Sequence, residues 1–153
     1  ALEIADGRSI RIAPLSVLSL LKVIAWYDRP SGREKDAQDL LILLETYADT
    51  PEFDALLTGS EQHEDLYELE DDLTCRGARL LGRAAAATGD DDALELCEEI
   101  LRPETDATGS LRLVIHGAPA LRVDDSRRED IALDLLQAFL NGLREPAGHS
   151  STP

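Results

Sequence analysis

The stretch RIAPLSVLSLLKVIAWYDRPSGREKDAQDLLILLETY, residues 11–47, decides the fold. Residues 15–27 hold ten apolar side chains and three polar ones, Ser16, Ser19 and Lys22. Pro14 suits the first position of a helix, so a helix is predicted over 14–28. Pro30, Ser31 and Gly32 break it. Leucines at 40, 41, 43 and 44 predict a second helix from near Glu34 to about Tyr47, with Pro51 beyond it. So short a loop makes the two helices antiparallel neighbours.

Lys22 is the odd residue in the first helix. An ammonium ion buried without a partner is costly. On a helical wheel at about 100° per residue, Ser16, Ser19, Lys22 and Arg29 share an arc of roughly 140° that also contains Trp26. The rest of the helix is apolar and is expected to be buried, which puts Lys22 on a narrow polar stripe. In the second helix, Asp36 and Asp39 are three residues apart and share a face of the first turn, where exposed N–H groups favour carboxylates. The hairpin therefore brings Lys22 and Arg29 toward Lys35, Asp36 and Asp39. Two readings stay open. Cations and carboxylates around one cleft suit a nucleoside triphosphate, the cations taking phosphate and the carboxylates holding Mg²⁺ or pairing with the lysine. Alternatively, Asp36 is a helix-terminal acid, Asp39 pairs with Lys35, and Lys22 snorkels from the edge of a core helix.

Outward from the hairpin, the pattern is mostly helical. RSIRIA, 8–13, alternates polar and apolar residues and predicts a short strand, and SLRLVIH, 110–116, predicts a second. PEFDALL, from residue 51, predicts a short helix, and the acidic EQHEDLYELEDD a solvated helix or turn. CRGARLLGRAAAA, 75–87, is a strong helix former. DDDALELCEEILR, 90–102, has three acids at its start, where a helix dipole favours them. SRREDIALDLLQAFLNGLRE, 126–145, is amphipathic, with Ile131, Leu135, Leu136, Phe139, Leu140 and Leu143 forming a core or oligomer face. The tail from 147 to 153 reads as disordered.

Composition narrows the function. The 153 residues suffice for a real core, and 43% are hydrophobic. A formal net charge of −16 excludes a protein that coats nucleic acid through overall charge. The charges are uneven, however. Lys22, Arg29, Arg33 and Lys35 cluster, while Asp36 to Cys75 contains no Lys or Arg. A local basic patch can therefore attract phosphate. Cys75 and Cys97 lack metal-type spacing and read as reduced core thiols of a cytoplasmic protein. His63, His116 and His149 are isolated, so no metal ligand set is predicted. Arg76, Arg79 and Arg83 share one helix side, either facing RNA or pairing with the acids of 61–72. No apolar run is long enough to span a bilayer. The chain begins at Ala1 rather than Met, as a processed product or a fragment would.

The 11–47 segment resembles the C-terminal motif of nucleotidyltransferases of the AbiEii/AbiGii toxin type. There a strand and a leucine-rich helix carry a Lys, and a short loop leads to a basic-Asp-x-x-Asp-Leu helix, matched here by KDAQDL. LYELEDDLTCRGARLLGRAAAA resembles the family's downstream region, so the likeness covers about residues 8–102. It implies a mainly α chain, the helical C-terminal portion of a polymerase-β-like nucleotidyltransferase with one or two short strands. It also implies transfer of NMP from an NTP with Mg²⁺. Lys22 would contact the triphosphate, Asp36 or Asp39 would be the late essential carboxylate, and Arg29 and Lys35 would support phosphate binding. The family's Gly-Ser turn and Asp-x-Asp pair do not precede residue 8. GSEQHED, 59–65, resembles that turn only superficially, because it lies downstream of the KDxxDL helix. The expectation is then a chain inactive without an N-terminal catalytic segment, either the C-terminal part of an enzyme or a degenerate relative. Its partners would be an NTP, that segment or an antitoxin, and an RNA acceptor held by the local basic patch, with no membrane. The alternative is a non-catalytic acidic module that binds a protein. The predicted division is 1–102 for the nucleotidyltransferase-like region, 103–146 for a strand-plus-helix extension, and 147–153 for the tail.

Overall fold

A computed structural model of the chain describes residues 2–3, 9–10, 14–29, 31–59 and 61–145. The predicted tail and part of the predicted 8–13 strand lie outside them. The fold is mainly α. Leu2–Glu3 (β1) and Ser9–Ile10 (β2) pair antiparallel, Leu2 opposite Ile10. The helices follow as Leu15–Asp28 (α1), Arg33–Thr46 (α2), Pro51–Thr58 (α3), Leu66–Leu69 (α4), Leu73–Thr88 (α5), Asp91–Glu104 (α6), Arg112–Gly117 (α7) and Arg128–Arg144 (α8).

Local chemistry sets the helix starts. Pro14 precedes α1, and Gly32, at φ 77°, turns the chain into α2 in a left-handed conformation that glycine takes without strain. The Thr50, Asp72 and Asp90 side chains accept N–H bonds from Phe53, Cys75 and Ala93, which caps α3, α5 and α6.

The predicted strand at 110–116 is not one. Leu111, at φ 54°, redirects the backbone, and α7 begins at the next residue. Leu113, Val114 and Gly117 are buried while Ile115 is half exposed, which is a helical period rather than an alternating one. Among the described residues the only sheet is the β1–β2 pair, so no sheet edge receives a strand here. Instead, the buried Glu104 carboxylate accepts the Leu113 N–H at 2.9 Å, which satisfies the start of the helix.

One apolar core runs from Leu20 to Leu143 and includes Trp26, Tyr47, Leu81, Leu101 and Phe139. The six apolar residues singled out on α8 belong to it, Leu135, Leu136 and Phe139 fully and Ile131 at its edge. Helices α5 and α8 make the most extensive packing contact in the fold. Their backbones touch: a Cβ on Gly82 would collide with the Phe139 carbonyl, and one on Gly142 with the Arg79 carbonyl. Helix α2 lies against α1, α5, α7 and α8, so this closely crossed pair supports the element that carries Asp36 and Asp39.

Because both collisions are with backbone, no rotamer change relieves them. Gly82→Ala and Gly142→Ala should each destabilise the fold by about 2 kcal/mol or more, measured by urea denaturation. A loss below about 0.5 kcal/mol would mean that the crossing is looser than described.

Candidate anion-binding site

Lys22 projects from the middle of α1 into the α1–α2 contact. Its Nζ donates to Asp39 Oδ2 at 2.7 Å and to Asp36 Oδ1 at 3.3 Å. Arg29 Nη1 stands 3.6 Å from Asp36 Oδ2, and Lys35 Nζ 3.5 Å from Asp39 Oδ1. The earlier residue of α1 meets the later of α2 and the reverse, so the hairpin is antiparallel, as its short loop requires. All five predicted site residues converge. Lys22 and Asp39 are partly exposed and Asp36 is buried at the floor, while Arg29 and Lys35 stand at the rim, mostly in water.

The polar stripe of α1 faces outward only at Lys22 and Arg29, however. Ser16, Ser19 and Trp26 are buried, and Leu21 and Tyr27 are half exposed. The expectation that the apolar remainder is the buried face holds for Leu20 and Val23 and is corrected for Leu21 and Tyr27. Trp26 carries the largest side chain of the helix and lies on the polar arc, so its burial draws that arc inward. The serines are satisfied there: Ser19 Oγ donates to the Ser16 carbonyl at 2.6 Å, and Ser16 and Thr88 share a hydroxyl hydrogen bond at 3.1 Å.

Charge follows the geometry. The hydrogen bond to Asp39 raises the Lys22 pKa, with Asp36 adding to it, against the opposing effect of burial. Burial works to raise Asp39, but the bond and charge of Lys22, helped by Lys35, prevail and hold its carboxyl below the ordinary value. Asp36 Oδ2 is buried without a hydrogen-bond partner, because Arg29 stops beyond hydrogen-bond reach. Three cations meet two carboxylates, so the cluster carries surplus positive charge on a chain of net charge −16.

A resident Mg²⁺ does not fit this arrangement. The ammonium of Lys22 already bridges the two carboxylates, and a divalent ion would meet it at close range. Among the described residues, no group of three His, Cys, Asp or Glu is placed to hold a metal.

Sequence reasoning missed the other side of Trp26. The indole Nε1–H donates to His116 Nδ1 at 2.9 Å. The guanidinium carbons of Arg33 and Arg112 lie 5.5 and 5.6 Å from its ring centre. Arg112 and His116 share a face of α7 at i and i+4, a relation hidden while 110–116 reads as a strand.

The second arginine group is structural. Arg79 Nη1 donates to Glu70 at 2.9 Å, Arg83 donates to Asp65 at 2.8 and 3.0 Å, and both bind Glu145. Arg76 donates to the Glu70 and Asp71 carbonyls and lies over Tyr67. Arg79 and Arg83 pair with acids of the 61–72 segment as expected, Arg76 binds the backbone of that segment, and the Glu145 link comes from the end of α8. The GSEQHED stretch contains a short turn, Glu61–His63, whose buried histidine contacts Arg83. Burial, chiefly, pushes both thiols up to about 12, so neither is a thiolate at neutral pH. No model of a known protein family, no curated protein and no solved structure matches the chain.

Removing the lysine should strand a buried carboxylate. Lys22→Met is expected to cost about 2 kcal/mol, and adding Asp36→Asn should restore at least half of it. Chemical denaturation of the two variants checks this, and additivity would deny the coupling. The Asp39 carboxyl titrates lower in the folded chain than in the unfolded one. Its stabilisation is therefore complete above the ordinary value of 3.8 and fades as pH falls through the folded value. The stability difference between wild type and Asp39→Asn should accordingly hold at neutral pH and shrink toward pH 3.

Proposed function

We propose that the α1–α2 hairpin binds the phosphates of a nucleoside triphosphate and forms the C-terminal half of a nucleotidyltransferase site. One observation carries this assignment: an ammonium held at fixed height by two carboxylates, with Arg29 and Lys35 exposed at the rim and only loosely paired. Asp36 and Asp39 restrict Lys22 to one geometry, which lowers the entropy lost when a phosphate arrives. The rim cations are long and exposed, so they close over an anion without disturbing the core. Surplus positive charge on an acidic surface concentrates the ligand at this one place.

The residues present bind and orient; they do not by themselves supply an electrophilic clamp. In this proposal, Mg²⁺ and the carboxylates that hold it belong to an N-terminal catalytic segment or a separate chain. An antitoxin partner and a cytoplasmic setting would follow from the toxin-type resemblance. Among the described residues no helix is long and apolar enough to cross a membrane.

A second assignment has its own support. Lys22 and Asp39 already satisfy one another, and Tyr67, Leu69 and Leu73 are exposed beside a run of acids, as a non-catalytic protein-binding module would allow. Titration calorimetry separates the two. Wild type should bind at least one NTP in the presence of Mg²⁺, Lys22→Ala should lose roughly tenfold or more, and Arg29→Gln several-fold. Arg29 is an exposed rim residue, so its effect does not depend on the fold tolerating the Lys22 change. Absence of heat with every NTP would leave the protein-binding module as the better account.

A further inference from the structure

Two arginines from distant parts of the chain, Arg33 at the start of α2 and Arg112 at the start of α7, each lie over the Trp26 ring. Trp26 is itself almost fully buried, so no base can stack on it, and its ring serves as the common contact of the two cations. Among the described residues Arg33 has no carboxylate partner; it donates to the Arg29 and Tyr27 carbonyls, which fixes its direction. Arg112 has one long ion pair, its Nε standing 4.0 Å from Glu104 Oε2, while Oε1 of the same carboxylate accepts the Leu113 N–H. His116 accepts the indole hydrogen bond at Nδ1, so in its neutral form the proton sits on Nε2, leaving a donor on a partly buried ring. On so acidic a chain, two arginines and an imidazole N–H around one ring, with so little carboxylate to neutralise them, are an anion site in waiting.

From this juxtaposition we infer that Arg33 and Arg112 form a second phosphate subsite, continuous with the Lys22–Arg29–Lys35 site, and that the two together take a compact polyphosphate. The inference rests on the nucleotide-binding function proposed above and adds residues 33, 112 and 116 to it. Continuity comes from Arg33, whose guanidinium lies over Trp26 while its Nε–H donates to the backbone of Arg29. Trp26 in turn lies one helical turn beyond Lys22. The charge distribution selects the ligand. Acids follow immediately, with no Lys or Arg from Asp36 to Cys75. A nucleic-acid strand long enough to leave the patch would run onto like charge, whereas two or three linked phosphates end within it. Arg33 and Arg112 are binding residues in this scheme, and His116 positions the Trp26 ring they both contact.

Calorimetry on the full chain at 0.1 M salt tests this, with inorganic tripolyphosphate, a nucleoside triphosphate, inorganic phosphate and a short single-stranded RNA as ligands. The fluorescence of Trp26, the only tryptophan, provides a local readout. Arg112→Gln and Arg33→Gln should each weaken tripolyphosphate and the triphosphate roughly tenfold, while inorganic phosphate binding, held by Lys22, changes little. Arg127→Gln, which removes one charge from the 125–127 turn, should bind as wild type. Equal loss with Arg127→Gln would reduce the effect to net charge and overturn the subsite. So would wild-type affinity in both Arg33 and Arg112 variants while Lys22→Ala is impaired, an outcome that leaves the nucleotide-binding proposal standing. The reverse pattern, loss at Arg112 with none at Lys22, keeps the subsite and removes that proposal. RNA bound more tightly than tripolyphosphate would overturn the compact ligand. No binding of any anion by wild type would overturn both proposals.

Discussion

Two helix backbones in direct contact set the geometry of this protein. Gly82 on α5 and Gly142 on α8 each face a carbonyl of the other helix, so the axes cross closer than any pair with side chains between them. The crossing leaves little room for slippage. It puts Glu145, just past the end of α8, beside Arg79 and Arg83 of α5, which ties the last turn to the acidic segment through Glu70 and Asp65. It also makes a firm floor for α2, and α2 carries both aspartates of the candidate site.

Charge is apportioned by depth. Arg79 and Arg83 are mostly withdrawn from water, and each is matched by more than one carboxylate, as the cost of desolvating a guanidinium demands. Lys22 is intermediate, matched by two carboxylates yet still reached by solvent. Arg29, Arg33, Lys35 and Arg112 are matched loosely or by a ring face, and these four lie around one end of α1 and α2. Surplus positive charge therefore concentrates where the chain has least need of it for stability. That is the physical ground for assigning the hairpin an anion.

The difference between α1 as a wheel and α1 as a packed helix has one cause. Ser16, Ser19 and Lys22 read as a solvent stripe because each is polar. Their arc also holds Trp26, and burying an indole outweighs leaving Leu21 and Tyr27 half exposed. The serines cost little once turned inward, since Ser19 reaches its own helix backbone and Ser16 reaches Thr88.

The sequence by itself determined the local facts. Pro14 marked the start of the first helix and Gly32 that of the second, the leucine spacing gave the second its span, and a short loop brought Lys22 to Asp36 and Asp39. These follow from chain connectivity and helical periodicity, which act over a few residues. Only the tertiary structure decided what depended on distant neighbours. Arg112–Gly117 became a helix because, among the described residues, the β1–β2 sheet takes no third strand and a buried Glu104 was there to cap it. Arg112 and His116 then met Trp26, more than eighty residues earlier in the chain. Glu145 met Arg79 and Arg83 because two glycines let α5 and α8 cross at backbone distance. Such pairings are fixed by how the helices close on one another in space, and that closure has no signature in any single stretch of the chain.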